Sequence, residues 1–533
     1  MASAANSDAH IATPDDDIRR IVIVGGGTAG WLTACLLASE FSTGEDGLQI
    51  TVVESPDTPP IGVGEGTWPS MRSTLQKIGI SESVFLNECN ASLKQGTWFR
   101  DWQTGNGDSY YHPFTLPKAY ESLNLAEYWL DELRETVPFD QAVTAQTAVC
   151  DHQGAPKQIG IPEYAFVLNY GYHLDAGRFG ELLANHARQN LNVEHRLANV
   201  TAVLDHANGD IAALQTDTAG VVSGDFFVDC TGLRARLIGQ HLNIPLKPID
   251  QWLFNDRALA LQVPYNRDDA DVAATTWSTA QEAGWVWDIG LQHRRGIGYV
   301  FSSRYTDIDR AHQVLGQYLK SNGHPEGLGD LTPRLLEFAP GYRETLWHRN
   351  CVAIGLAAGF VEPLEASALV LVEMSARAIA EQLPSRRSAL APVAKRFNSE
   401  FGYRWRQIID FLKLHYVLSQ RTDSDYWLDN RDASSIPHSL AEQLKLWESR
   451  LPWHIDEGRR DEMFPSASYL YVLMGMGFKP QHRGLRKRQH NAMQQRATQA
   501  LQEVQVERER YLRHLPSTRN LLQQLHNQPF PTR

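Results

Sequence analysis

Three glycines, Gly25, Gly27 and Gly30, stand at the spacing with which a backbone closes on a pyrophosphate. The first permits a tight turn, the second lets the chain approach a phosphate, and the third lets a helix pack close to a strand. Thr28 and Ala29 lie between them, at the start of a helix whose exposed N–H groups would meet the anion. Glu54, 24 residues after Gly30, is an acid placed to hold a ribose hydroxyl. Such residues work only if the right elements carry them. Ile21-Val22-Ile23-Val24 reads as a buried parallel strand, residues 32–39 as a helix, and residues 48–53 as a second strand that delivers Glu54. A lone glycine pattern is often only a tight turn, but strand, turn, helix, strand and terminal acid in that order predict a dinucleotide site.

Two further segments favour FAD over a nicotinamide. Val228-Asp229-Cys230-Thr231-Gly232 is a strand ending in an acid and small residues, and residues 351–354 form a strand that enters a glycine-rich turn at Gly355. Flavoproteins of the glutathione-reductase type reuse such strand ends around an extended FAD, so Asp229 and Gly355 join the cofactor-binding candidates. No second strand–glycine turn–helix unit occurs. Gly327-Leu328-Gly329 and Gly475-Met476-Gly477 lack both the preceding apolar strand and the third glycine. A flavin reduced elsewhere is therefore the expected reductant.

A chain of 533 residues buries a large core and holds two or three structural units. Its net charge of −12, with both signs mixed along the sequence, argues against nucleic acid as a partner. The five cysteines, Cys35, Cys89, Cys150, Cys230 and Cys351, are scattered, with no C-x-x-C or Cys/His cluster. Neither a disulfide framework nor a metal site is expected. No stretch has the length and apolarity of a membrane span, and the polar first 18 residues lack the apolar run of a signal peptide. These features predict a reduced, cytoplasmic protein with a disordered tail over residues 1–18. Residues 19–383 are expected to form an FAD-binding domain with inserted strands, and residues 384–533 a helical subdomain. Within these, residues 70–90, 364–382, 390–420 and 481–512 read as helical, and residues 192–230 and 255–305 as strand-rich.

The chain resembles the flavin-dependent tryptophan halogenase family over nearly its whole length. The resemblance lies in residues 25–31, Ile61-Gly62-Val63-Gly64-Glu65, Ala91-Ser92-Leu93-Lys94, Trp285-x-Trp287-x-Ile289 and Phe360-Val361-Glu362-Pro363-Leu364-Glu365. The double-tryptophan signature of the family ends in proline, where this chain has Gly290. The resemblance implies an α/β fold: a Rossmann-like FAD-binding unit of the glutathione-reductase type with an inserted β-sheet region, covered over the substrate by a mainly helical C-terminal part.

It also implies a chemistry. Halide and an electron-rich ring are both nucleophiles, so the halide must first be oxidised, by reduced flavin and O₂, to hypohalous acid. The family routes that acid to a lysine beside the substrate, and Lys94 matches this lysine. Glu365 matches the active-site glutamate, expected in the first turn of a helix behind Pro363, where the helix dipole favours an acid. Ser367 and Ala368 match the halide-binding segment, chloride or bromide being the halide. His112 and Phe114 match a sandwich around the indole ring, and Phe464 a third aromatic wall. The two signature tryptophans would wall the flavin off from the substrate. The implied partners are a small aromatic substrate and a separate flavin reductase, with a homodimer left open.

The segment Trp453–Met463 is short and lacks a tyrosine-rich lid to grip an amino acid at both ends. An indole-type ring without that full grip is the expected substrate. Two other readings stay open at this level: a flavin monooxygenase that hydroxylates its substrate, and an FAD-binding sensor that kept the fold without the chemistry.

Overall fold

The computed structural model describes residues 16–43, 47–58, 64–456, 458, 462–481 and 490–532. The β-branched run Arg20–Val24 forms the strand expected of it, at the centre of a six-stranded sheet. Parallel neighbours are Gln49–Glu54 on one side and Phe226–Asp229 on the other. Glu194–Leu197 extends the first side and Cys351–Ala353 the second, with the short antiparallel Trp347–His348 at the edge. The chain leaves the central strand in one direction and returns on the opposite side. This is a switch point, and the crevice outside the strands' carboxyl ends is where such sheets bind ligands. Val24 is level with Val53 and Asp229, so the glycine turn and both flanking strand ends open into one place. The helix Thr28–Glu40 then packs against Ser367–Gln382 and Ala176–Asn190.

The inserted strands form a seven-stranded sheet in the order 334–337, 257–264, 294–301, 284–290, 276–281, 96–100 and 109–113. A three-stranded sheet, 64–66, 171–175 and 92–94, joins it to the nucleotide layer. Because Gly96 pairs with Pro113 and Thr97 with His112, the hairpin formed by these two strands brings Lys94 near His112. The C-terminal helices share one continuous apolar core with the nucleotide sheet, from Ile21 through Ile408 and Leu470 to Phe530.

Several expectations change in detail. Residues 16–18, expected within the tail, are held in place: the Ile18 N–H donates to Ser385 and Asp16 accepts from Ser388. Residues 70–90 are two helices, Ser70–Ile78 and Glu82–Glu88, because Gly79 turns left-handed (φ 81°) and Ser81 caps the second. The last long helix runs His490–His514, and residues 482–489 of the expected span lie outside the described residues. All five cysteines are buried and unpaired. Among the described residues no helix is long and apolar enough to cross a membrane, and no His/Cys/Asp/Glu group could hold a metal.

Candidate active site

The glycine turn is tight in two places and open in one. A Cβ on Gly25 (φ 115°) would lie 2.2 Å from the Cys230 carbonyl oxygen, and one on Gly30 would lie 1.9 Å from the Gly25 carbonyl oxygen. A Cβ on Gly27 would meet no atom within 4 Å. Gly27 precedes a helix with no side-chain cap, so its first N–H groups are left for a ligand. Ala29 lies under Gly355, where φ is 67° and an added Cβ would lie 2.9 Å from the Ala29 Cβ, so both demand glycine. Glu54 ends its strand as expected, with its carboxyl group over Gly26 and Oε2 2.9 Å from His195 Nε2. An uncapped helix, an open turn and an acid at the next strand end fit FAD.

Two candidates for that cradle do other work. The Thr28 hydroxyl donates to the Ala176 carbonyl at 3.3 Å, which ties it to the neighbouring helix. Asp229 is fully buried, and its carboxylate accepts from Thr231, Leu237 and Ile238 backbone N–H groups and the Thr231 hydroxyl. It braces the turn after its strand and has no oxygen to spare for a cofactor.

Lys94 ends the strand Ser92–Lys94 and is 1% exposed. Its ammonium makes no hydrogen bond among the described residues and lies 5.5 Å from the centroid of the half-buried Phe114 ring. Burial pushes its pKa down to about 8, with the charge of Glu365 pulling the other way. Between Lys94 and the Glu365 segment sits Gly66: a Cβ there would be 3.1 Å from Lys94 Nζ and 3.3 Å from the Ala366 Cβ.

Glu365 is not in a helical first turn. Glu365 and Ala366 are both left-handed (φ 68° and 53°), so the regular helix starts only at Ser367. Two consecutive non-glycine residues in this region store strain that the surroundings must hold. Trp68 helps by donating its indole N–H to the Glu365 carbonyl at 2.8 Å. The carboxylate itself is 2.8 Å from His112 Nδ1 and 3.4 Å from His415 Nε2. Burial opposes ionisation, but the two histidines outweigh it and hold this carboxyl well below its ordinary range. The helix dipole, invoked from sequence, is not the cause. Ser367 is buried and Ala368 exposed at the uncapped start of the following helix.

The aromatic candidates separate. Phe114 shares space with Lys94, whereas both ring nitrogens of His112 are committed, to Glu365 and to Ser468. Phe464 is 3% exposed, stacked on Phe411 at 3.8 Å and edge-on to Trp68 at 5.0 Å. It therefore props Trp68, which is the half-exposed ring at this place. The signature tryptophans are interior: Trp285 donates to Glu362 at 2.7 Å, and Glu362 also accepts from Asn255 and Tyr416. This unit fixes the start of the turn that carries Glu365. Gly290 has no room for a ring, since even a Cβ would lie 2.7 Å from the Ala273 nitrogen. Trp68, Gly66, His415, Ser468 and Glu362 were not singled out from sequence. Of these, Glu362 lay within the segment Phe360–Glu365 that carried the resemblance.

The tryptophan halogenase family profile matches residues 20–492. Tryptophan 7-halogenase RebH of Lentzea aerocolonigenes is 32% identical, over 96% of this chain and 99% of its own. The crystal structure of a tryptophan halogenase from Shewanella frigidimarina NCIMB 400 is 45% identical with a TM-score of 0.92, over 97% of this chain and 99% of that one. BrvH, a flavin-dependent halogenase from Brevundimonas sp. BAL3, is 32% identical with a TM-score of 0.83, over 96% and 100%. The fold expected from sequence, a Rossmann-like α/β unit with inserted strands and helical cover, is the fold of these proteins. The chain belongs to the tryptophan halogenase family and is a flavin-dependent halogenase.

Proposed function

We propose that the protein halogenates an electron-rich aromatic substrate, indole or an indole derivative, with hypohalous acid directed by Lys94. The observation that carries this reading is the Lys94 ammonium, buried without a hydrogen-bond partner among the described residues, facing Phe114 and, across Gly66, the Glu365 segment. Leaving a cation so unsatisfied costs stability, and sites of that kind are where function is expected.

FAD, delivered as FADH₂ by a separate reductase, supplies with O₂ the oxidising equivalents that turn chloride or bromide into hypohalous acid. Gly25, Gly27, Gly30 and Glu54 hold that cofactor. Lys94 donates a hydrogen bond to the hypohalous acid and keeps it beside the ring. Phe114 and Trp68 present apolar faces that orient the ring. Glu365, held ionised by its histidines, offsets the positive charge that develops on the ring as halogen adds. A low-dielectric site makes that charge worth more than it would be in water. The ring then loses its proton, and water leaves with the oxygen of the acid.

The described part of the segment 453–463 offers little to grip an amino acid. Trp453 packs on Tyr120, Asp456 is paired with Arg450, and Glu462 accepts from Tyr403. Ring burial thus supplies most of the binding, and free indole is the better substrate than free tryptophan, with attack at C3. Bromide, which is easier to oxidise, should serve at least as well as chloride. Mass spectrometry of products from equimolar indole and tryptophan, with FAD, NADH and a flavin reductase, in chloride and then bromide, tests this. Haloindole formed only when the reductase is present supports the reading. A hydroxylated product, or one benzo-ring product of free tryptophan, contradicts it.

A further inference from the structure

Glu365, His112 and Ser468 stand in one hydrogen-bonded row. His112 Nδ1 is 2.8 Å from Glu365 Oε1, and His112 Nε2 is 2.9 Å from Ser468 Oγ. An ionised carboxylate only accepts, so the hydrogen of the neutral imidazole must sit on Nδ1, and Nε2 then accepts from the serine hydroxyl. The opposite tautomer would set a bare ring nitrogen against a carboxylate oxygen. The order of groups is that of a hydrolytic triad run in the other sense. Here the serine is 7% exposed and serves as the anchor, while the carboxylate is the working end near Lys94.

We infer that Ser468 is a positioning residue for halogenation: its hydrogen bond to His112 Nε2 holds the ring so that the Nδ1 hydrogen aims the Glu365 carboxylate. This rests on the role given to Glu365 in the proposed function. Ser468 belongs to the helix Ser466–Gly475, which is fastened at two places. The Ser466 hydroxyl donates to the Trp453 carbonyl at 2.9 Å, and the Tyr471 hydroxyl to the Thr115 carbonyl at 2.9 Å, next to Phe114. The same helix therefore holds the end of the strand that carries His112. His415 cannot substitute for the pair. Its Nδ1 hydrogen goes to the Phe411 carbonyl at 2.9 Å, so Nε2 offers a hydrogen to Glu365 only when that ring is protonated. Lys94 and Tyr110 are the other titratable groups whose charge couples to Glu365, and Phe411 and Tyr471 pack on the His112 ring.

Reductase-fed halogenation is measured for wild type, Ser468→Ala, Ser468→Thr and Glu365→Gln at one pH. For Ser468→Ala, kcat should fall by about tenfold, with KM changed by no more than about twofold. Ser468→Thr, which keeps the hydroxyl, should restore the rate. In parallel, ¹⁵N spectra of histidine-labelled wild-type protein should show a ring protonated on Nδ1 and bare on Nε2 that disappears in His112→Asn. No deficit, a deficit carried by KM alone, or a His112 signal protonated on Nε2 alone overturns the inference. Full activity in Glu365→Gln would instead show that the role of Glu365 itself is wrong, and the inference would fall with it.

Discussion

Trp285 donates its indole N–H to Glu362 Oε2 across 2.7 Å, joining the seven-stranded sheet to the turn that carries Glu365. The carboxyl group of Glu362 is fully enclosed, and burial raises its pKa against the donors Trp285, Asn255 and Tyr416. Trp285→Phe keeps a large ring but leaves that carboxyl one donor short. A loss of about 1–3 kcal/mol is expected, together with slower halogenation and unchanged flavin affinity. Urea unfolding and flavin titration check it. An unchanged unfolding midpoint would reduce Trp285 to packing.

The glycine turn separates folding from cofactor binding. Gly25 and Gly30 sit against backbone atoms, whereas the space over Gly27 is empty. Gly27→Val should therefore fold with near wild-type stability while its flavin affinity falls at least about tenfold, because the new side chain stands where a phosphate must approach. Circular dichroism and flavin fluorescence titration measure the two effects. Wild-type flavin affinity in this variant would place the cofactor elsewhere.

Gly66 keeps a gap between Lys94 and Ala366. Gly66→Ala puts a methyl group 3.1 Å from Lys94 Nζ and 3.3 Å from the Ala366 Cβ. Those neighbours must give way, which displaces the Lys94 ammonium. Halogenated product should fall by about tenfold or more, since small displacements at a reacting centre are costly, while flavin binding and flavin reoxidation by O₂ continue. Product yield per flavin oxidised is the quantity to follow.

Burial of Lys94 makes a stability prediction with a definite sign. Its pKa is lowered to about 8 from an ordinary 10.5, so the unfolded chain binds the proton more tightly. The folded protein pays a penalty that is complete below about pH 8 and is relieved as pH rises towards 10.5. The penalty amounts to roughly 3 kcal/mol. Lys94→Met, similar in length and uncharged, should be more stable than wild type at pH 7, and the difference should shrink between about pH 8 and 10. Urea unfolding across that range decides it.

What could be read in the chain followed the range of the interactions. The first strand, glycine turn and helix were legible because their residues are neighbours and each type is required by local geometry. Glu365 was assigned to the correct segment but the wrong conformation. Pro363-Leu364-Glu365 reads as a helix start, yet the backbone turns left-handed at Glu365 and Ala366 and is held there by Trp68, 297 residues away. Asp229 looked like a cofactor ligand because it ends a strand, but its oxygens close its own turn. The hydrogen bonds of His112 were not legible in the sequence. Its two partners, Glu365 and Ser468, lie 253 and 356 residues away, a separation at which no spacing rule operates.

In the proposed mechanism Lys94 acts on hypohalous acid after the flavin has done its work. The most direct measurement is Lys94→Ala assayed with FAD, a flavin reductase, bromide and indole, following O₂ consumption and haloindole together. Flavin reoxidation should continue at the wild-type rate with haloindole reduced by at least about a hundredfold, the scale seen when a group acting on the transition state is removed. Haloindole formed at the wild-type rate by Lys94→Ala would contradict that mechanism.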